Sequence, residues 1–289
     1  MTQHTSRMMQ DTINAGSAVD ATQPVAVVTG ASRGIGRELA LGLLAACSHV
    51  LAVGRDVNAL EALRRAASGA RASLMCVVAD VATEAGRAHI EASVRTEFGY
   101  LTCLVNNAAI GMGSLRRDYH DRPVTHAELN DEILDRFLST NARAPIVLAV
   151  RLLPLFRMGW GRIINIGTSL NSMHRPGFIP YGMSKAALES ASAILAEELK
   201  DSGITVNLIN PGGPVNTPMV ARSDQRQQDL LLPPGIMVKP VCWLASRAAD
   251  GVTGRRITAT RWNEAAAEAA MAPIGWPQLA ADSTWQPPQ

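Results

Sequence analysis

The chain has 289 residues, 47% of them hydrophobic and 18% charged, with a formal net charge of +2. That balance belongs to an ordinary globular protein and excludes a disordered or fibrous one, and the length suits one large core or two small ones. The 27 basic residues are dispersed, with nothing longer than an Arg-Arg pair, which argues against a nucleic-acid surface.

Residues 1–23 read as a polar tail without the apolar core of a secretory signal. From Pro24 onward short β-branched runs alternate with longer helical patterns, the habit of a parallel sheet covered by helices on both faces. The strands read "VAVVTG", "HVLAVGR", "ASLMCVVAD", "LTCLVNNA", "RIINIGT", "GITVNLINP" and "RITAT", seven in all. Helices are expected to start near Gly34, Asn58, Thr83, Leu129 and Tyr181, with another over Val238–Ser246. The nearly continuous apolar character of these strands fits burial on both faces. After Trp262, "NEAAAEAAMA" reads as a short helix and the rest as a Pro-rich end. The expected architecture is a single α/β domain over residues 24–262, a doubly wound, seven-stranded, mainly parallel sheet, followed by an Ala/Pro-rich extension over 263–289. The best membrane candidate, Ala144–Phe156, contains Arg151 and Pro154 and falls short of the roughly 20 apolar residues a span needs. Cys47, Cys76, Cys103 and Cys242 are widely spaced and read as reduced thiols of a cytoplasmic protein, neither zinc ligands nor a disulfide framework.

Three local patterns carry chemistry. The turn Thr29-Gly30-Ala31-Ser32-Arg33-Gly34-Ile35-Gly36 follows the first strand and opens a helix. Glycines there let the backbone approach a pyrophosphate, and the helix start offers free N–H groups and the positive end of its dipole. At the end of the second strand, Val53-Gly54-Arg55-Asp56 has Gly54 where an acid would hold an adenosine ribose. Arg55, joined by Arg33, suits a 2′-phosphate instead, so NADP(H) is expected. NAD(H) is the alternative, with Arg55 solvated and Asp56 capping the next helix. Finally, "YGMSK" sets Tyr181 and Lys185 four residues apart, on one face of a helix. A free phenol titrates near ~10, roughly three units above neutrality, and a neighbouring cation lowers that value. Lys185 is therefore expected to tune Tyr181.

The spacing of the glycine turn, "NNAA" after the fourth strand, "YGMSK", and "NPGG" after the sixth resemble, in order and separation, the short-chain dehydrogenase/reductase family over roughly Val25 to Trp262. The resemblance implies a Rossmann-type domain that transfers a hydride between NAD(P) and a carbonyl or secondary alcohol, with Tyr181 as general acid or base and Lys185 also on the nicotinamide ribose. It further implies that Gly30, Ser32, Arg33, Gly34, Ile35 and Gly36 hold the pyrophosphate and that Asp80 and Val81 bracket the adenine. Asn107, Ala108 and Ala109 then meet the cofactor, with Ala109 standing where the family has glycine. Pro211, Gly212 and Gly213 position the nicotinamide, with Thr217 for its carboxamide, one residue further along than expected. The hydroxyl that polarises the substrate falls on Thr168 by register, with Ser169 as the neighbouring alternative.

Asn141 lies four residues before Pro145, which has no N–H to offer its carbonyl; the resemblance makes that asparagine part of a proton relay, while a simple kink is the structural alternative. A homodimer or homotetramer is implied through the helices beginning near Leu129 and Tyr181. The last strand lacks the family's Asp-Gly-Gly ending, and the segment from Ile110 to Leu129, longer than usual, should lie at the mouth of the site. His120, His126 and His174 have no metal-ligand spacing. The substrate is a small carbonyl or alcohol that no residue set identifies. The contrasting function is a catalytically silent NAD(P)-binding sensor or scaffold.

Overall fold

The computed structural model describes residues 23–46, 48–157, 159–220 and 230–275. The polar tail up to residue 22, Cys47 and the Pro-rich end from residue 276 lie outside the described residues.

Eight strands form one sheet: β1 (Val25–Thr29), β2 (His49–Gly54), β3 (Leu74–Val78), β4 (Cys103–Asn106), β5 (Gly161–Ile166), β6 (Ile204–Asn210), β7 (Arg255–Thr258) and β8 (Met271–Pro273). Their order is β3-β2-β1-β4-β5-β6-β7-β8. Every pairing through β7 is parallel, and β8 closes the edge antiparallel to β7. After β3 the chain crosses back to lay β4 beside β1, so a crevice opens at the carboxyl ends of β1 and β4, where the winding reverses.

Alternation along the strands sorts the side chains into two cores. Ala26 and Val28 face one layer, formed by α1 (Gly34–Ala45), α2 (Val57–Ala66) and α8 (Val238–Leu244). Val25 and Val27 face the other, formed by α3 (Glu84–Glu97), α5 (Ala144–Leu152) and α7 (Ile179–Glu198). Helix starts are set by local chemistry: Asp56 accepts from the Ala59 N–H at 3.0 Å, Thr83 from Gly86, and Asn130 from Ile133 at the head of α4 (Asp131–Leu138). Between α4 and α5 the chain takes a π-turn over Ser139–Arg143. Pro145 cannot supply the N–H that an α-helix would direct to Asn141, and Ala144 bonds Ser139 instead.

The sequence reading gives seven strands, and the structure adds the eighth, inside the segment read as an extension. There "NEAAAEAAMA" forms a 3₁₀ segment, Glu264–Ala270, broken at Ala266, and then enters β8. The seventh strand stops at Thr258 and turns into a 3₁₀ segment over Ala259–Arg261. Among the described residues no helix is long and apolar enough to cross a membrane, and no three His, Cys, Asp or Glu side chains converge as metal ligands.

Candidate active site

The crevice is a cavity of 370 Å³ walled by Gly30, Ser32–Gly36, Val53–Asp56, Ala79–Val81, Asn107–Ile110, Thr140 and Thr217–Met219. Its floor depends on two glycines. Gly30 has φ +66°, and a β-carbon on Gly36 would lie 2.2 Å from the Gly30 carbonyl oxygen. Asn107 crosses from the end of β4 and donates from Nδ2 to the carbonyls of Thr29, at 2.9 Å, and Gly30, at 3.2 Å. The Thr29 hydroxyl in turn accepts from the N–H groups of Asn107 and Ala108. Arg33, extended at the N-cap of α1, makes no side-chain cap, so the first N–H groups of α1 are not capped by it. This donor set, lined by small residues, fits a pyrophosphate.

At the end of β2, Gly54 lines the cavity without an acidic side chain. Asp56 is committed to capping α2, while Arg55 stays exposed and meets Asp80 at 3.4 Å. The other Asp80 carboxylate oxygen accepts the Ala82 N–H at 2.9 Å, so Asp80 shapes a turn, and the cap of α3 belongs to Thr83. Val81 is buried, and Arg87, itself 7% exposed, donates to its carbonyl at 2.8 Å.

A second cavity of 260 Å³ shares Ile35, Asn107, Ala109, Thr217 and Met219 with the first. Into it open Thr168, Ser169, Tyr181, Lys185 and the turn Pro211–Pro214. Tyr181 and Thr168 both line this cavity, and the Thr168 hydroxyl draws the titration of the Tyr181 phenol down. Ser169 caps the short α6 (Leu170–Met173), accepting the Ser172 N–H at 3.2 Å and pairing with the Ser172 hydroxyl at 3.0 Å. Of the two hydroxyls left open by the sequence, Thr168 is therefore the one that acts on the phenol. Lys185, 3% exposed, donates to the Ile166 carbonyl at 2.7 Å, and burial pulls its ammonium down to about 8.

The electrostatics differ from the sequence expectation. Burial pushes the Tyr181 phenol upward, the Thr168 hydroxyl draws it back in part, and Tyr119 adds to the rise. Removing a phenolate from water costs more than its polar neighbours return, so the resting group is a neutral donor and not a phenolate stabilised by Lys185.

Asn141 is fully buried in the π-turn. Its side chain accepts the Ile110 N–H at 2.8 Å and donates to the Ile110 carbonyl at 2.9 Å and the Ser184 hydroxyl at 3.0 Å. Ser184 bonds the Tyr181 carbonyl at 2.8 Å. Thr217 rests its methyl against Gly34, 3.0 Å from where a β-carbon would stand, so the extra residue before it does not carry it away from the cleft. The long segment after β4 does reach the mouth, through Met112, Tyr119 and His120. Sequence reasoning missed Ile110, Ser184 and Arg256. Ser184 had a signal, since it lies one turn from Tyr181 on α7, and Arg256 had one as a charge inside a strand.

A family profile described as short chain dehydrogenase matches residues 24–228. The chain is 31% identical over 243 residues to the 3-oxoacyl-(acyl-carrier-protein) reductase FabG of Escherichia coli strain K12, covering 81% of this chain and 94% of the relative. Among solved structures, a single-residue variant of the actinorhodin polyketide ketoreductase with NADPH superposes with a TM-score of 0.72 at 25% identity, over 83% of this chain and 97% of the other. A 3-ketoacyl-(acyl-carrier-protein) reductase of Brucella melitensis complexed with NADH gives 0.70 at 26%, over 81% and 95%.

The depressed Lys185 has a consequence for stability. Between about pH 8 and 10.5 the unfolded chain holds a proton on Lys185 that the folded chain has released, so folding stability gains from this group as pH rises through that window and loses the gain as pH falls back to about 8. The full difference is about 3 kcal/mol. Urea unfolding of wild type and Lys185→Met across this range should show the variant's relative stability falling with pH; parallel curves would contradict a buried, depressed ammonium.

Proposed function

The chain belongs to the short-chain dehydrogenase family, and from that premise we propose an NADP(H)-dependent oxidoreductase that interconverts a carbonyl and its secondary alcohol with Tyr181 as general acid or base. The observation that carries this reading is that Tyr181, Thr168 and buried Lys185 open together on a cavity continuous in lining with the glycine turn. The Gly30–Gly36 turn would hold the pyrophosphate, Asp80 and Val81 the adenine, and Tyr181 and Lys185 the nicotinamide ribose, with Pro211–Gly213 and Thr217 against the ring. A bound nicotinamide supplies the hydride in reduction and accepts it in oxidation.

Each remaining role falls to the chain itself. Thr168 donates to the substrate oxygen and orients it toward Tyr181. The neutral phenol gives that oxygen its proton as charge develops, a favourable transfer because an alkoxide is several units more basic than a phenolate. In the opposite direction Tyr181 takes the alcohol proton. Lys185, titrating at about 8, keeps a proton available near neutrality, and Asn141, set in its π-turn, links this pair toward solvent.

For the cofactor, one solved relative holds NADPH and another NADH, so the preference rests on residues of this chain. Gly54, the commitment of Asp56 to its helix, and exposed Arg33 and Arg55 favour a 2′-phosphate. Self-association through α5 and α7 is supported by the apolar side chains these helices expose, Val150 at 51% and Ile194 at 56%. A silent nucleotide sensor is the competing reading, and the cavity shared by Thr168 and Tyr181 favours the enzyme.

Tyr181→Phe should lower carbonyl-dependent NADPH oxidation on the order of 10³-fold while NADPH binding, followed by fluorescence, changes less than about threefold. Unchanged turnover removes Tyr181 from the chemistry, and a wild type that binds NADPH yet reduces nothing across a broad carbonyl panel is the sensor. Arg55→Ala should weaken NADPH about 10-fold while sparing NADH, whereas equal losses would reject the 2′-phosphate assignment. Sedimentation equilibrium is expected to show a dimer or tetramer, and a monomer at micromolar concentration refutes self-association.

A further inference from the structure

The last strand departs from the family's ending, and the residues standing there meet behind the catalytic hydroxyl. Arg256, on β7 and 9% exposed, directs Nη1 to Glu189 Oε1 at 2.6 Å and Nη2 to the backbone carbonyl of Thr168. Glu189 is fully buried on α7, two turns after Tyr181. Its Oε1 also accepts the Gly275 N–H, just beyond β8, at 3.3 Å, while Oε2 finds no hydrogen-bond donor among the described residues. One guanidinium therefore joins three pieces of chain: the last parallel strand, the helix carrying Tyr181 and the exit of β5.

We propose that Arg256 and Glu189, closed from outside by β8, form a clamp that positions Thr168 in the cavity it shares with Tyr181. The proposal rests on reading Tyr181 and Thr168 as the acid-base pair. Two cations grip the exit of β5 at alternate carbonyls, Lys185 at Ile166 and Arg256 at Thr168. A strand end gripped at both points cannot twist, and the Thr168 side chain keeps its direction in that cavity. Stability does not account for the pair. Desolvating two charges offsets most of their attraction, and one Glu189 oxygen is left without a donor, so a well-packed apolar pair would be as stable or more so. The geometry at Thr168 is what the ion pair adds. Arg256 and Glu189 touch neither cavity, so they are positioning residues.

The test uses the full chain carrying ¹³Cζ-labelled tyrosine, which reports the Tyr181 titration without any substrate. The titratable and charged groups around the pair are Lys185 on α7, Tyr119 and His120 from the segment after β4, Arg175 after α6, and Arg256 itself. Because the Thr168 hydroxyl holds the phenol down, Arg256→Met should raise the Tyr181 titration toward that of Thr168→Val, Arg256→Lys should restore part of the difference, and Arg256→Met should add nothing to Thr168→Val. In turnover, Arg256→Met should cut kcat about 10-fold or more with KM for NADPH within about threefold, again without effect on top of Thr168→Val. If Arg256→Met fails to fold by circular dichroism, Glu189→Gln, of equal size, carries the same measurements with a smaller shift expected. An unmoved titration, or losses that multiply with those of Thr168→Val, overturns the clamp. A wild type inert toward every carbonyl overturns the oxidoreductase reading instead and leaves the titration to judge the clamp.

Discussion

How closely the first helix can approach the first strand decides where everything else in the cleft stands. A β-carbon at position 36 would lie 2.2 Å from the Gly30 carbonyl and 2.4 Å from the Asn107 amide nitrogen, so the turn, the helix start and the end of β4 share one space that only glycine leaves open. Asn107 occupies that space and ties β4 to the turn through the Thr29 and Gly30 carbonyls. Asn106, one residue earlier, points into the sheet and passes the connection on through Asn165 to Ser192 on α7. Hydrogen bonds on either side of the Asn106–Asn107 peptide thus link the glycine turn to the helix that carries Tyr181 and Lys185. Buried amides of this kind are costly unless each is satisfied, and the satisfied network leaves the elements one relative placement.

The same low-dielectric setting governs the titrating pair. Burial moves the phenol up and the ammonium down, each toward its neutral form. Tyr and Lys spacing alone points to charge attraction as dominant, yet the lysine's hydrogen bond goes to the Ile166 carbonyl, and desolvation is the larger influence on both groups. A neutral phenol suits a proton donor, and a lysine near 8 releases its proton far more readily than a solvated one.

Legibility in the sequence followed the range of the interactions. The parallel strands, the glycine turn and the Tyr-Lys face were visible because hydrophobic period, turn chemistry and helical spacing act within a few residues. The π-turn was half visible: Pro145 announced a freed carbonyl at Asn141, but not that Ile110 and Ser184 would fasten the asparagine side chain from elsewhere. Register favoured Thr168 but left Ser169 open, because what sets the two apart lies in the fold, where Ser169 is spent on the cap of α6. β8 was hidden for a different reason. An alanine-rich run favours helix locally, and only pairing with β7 turns Met271–Pro273 into a strand.

That hidden strand changes what the end of the chain does. Without it β7 would be an exposed edge, an open row of backbone donors and acceptors. Three residues suffice to cover it, and Trp262, its ring 5.0 Å from that of Trp243 on α8, anchors the chain as it leaves β7. The segment then delivers the Gly275 N–H to Glu189. Edge protection and support of the catalytic helix come from the same short return of the chain between β7 and β8. The Asp-Gly-Gly ending of the family is thus replaced by a strand and an ion pair that connect the rim of the sheet to the exit of β5 at the Thr168 carbonyl.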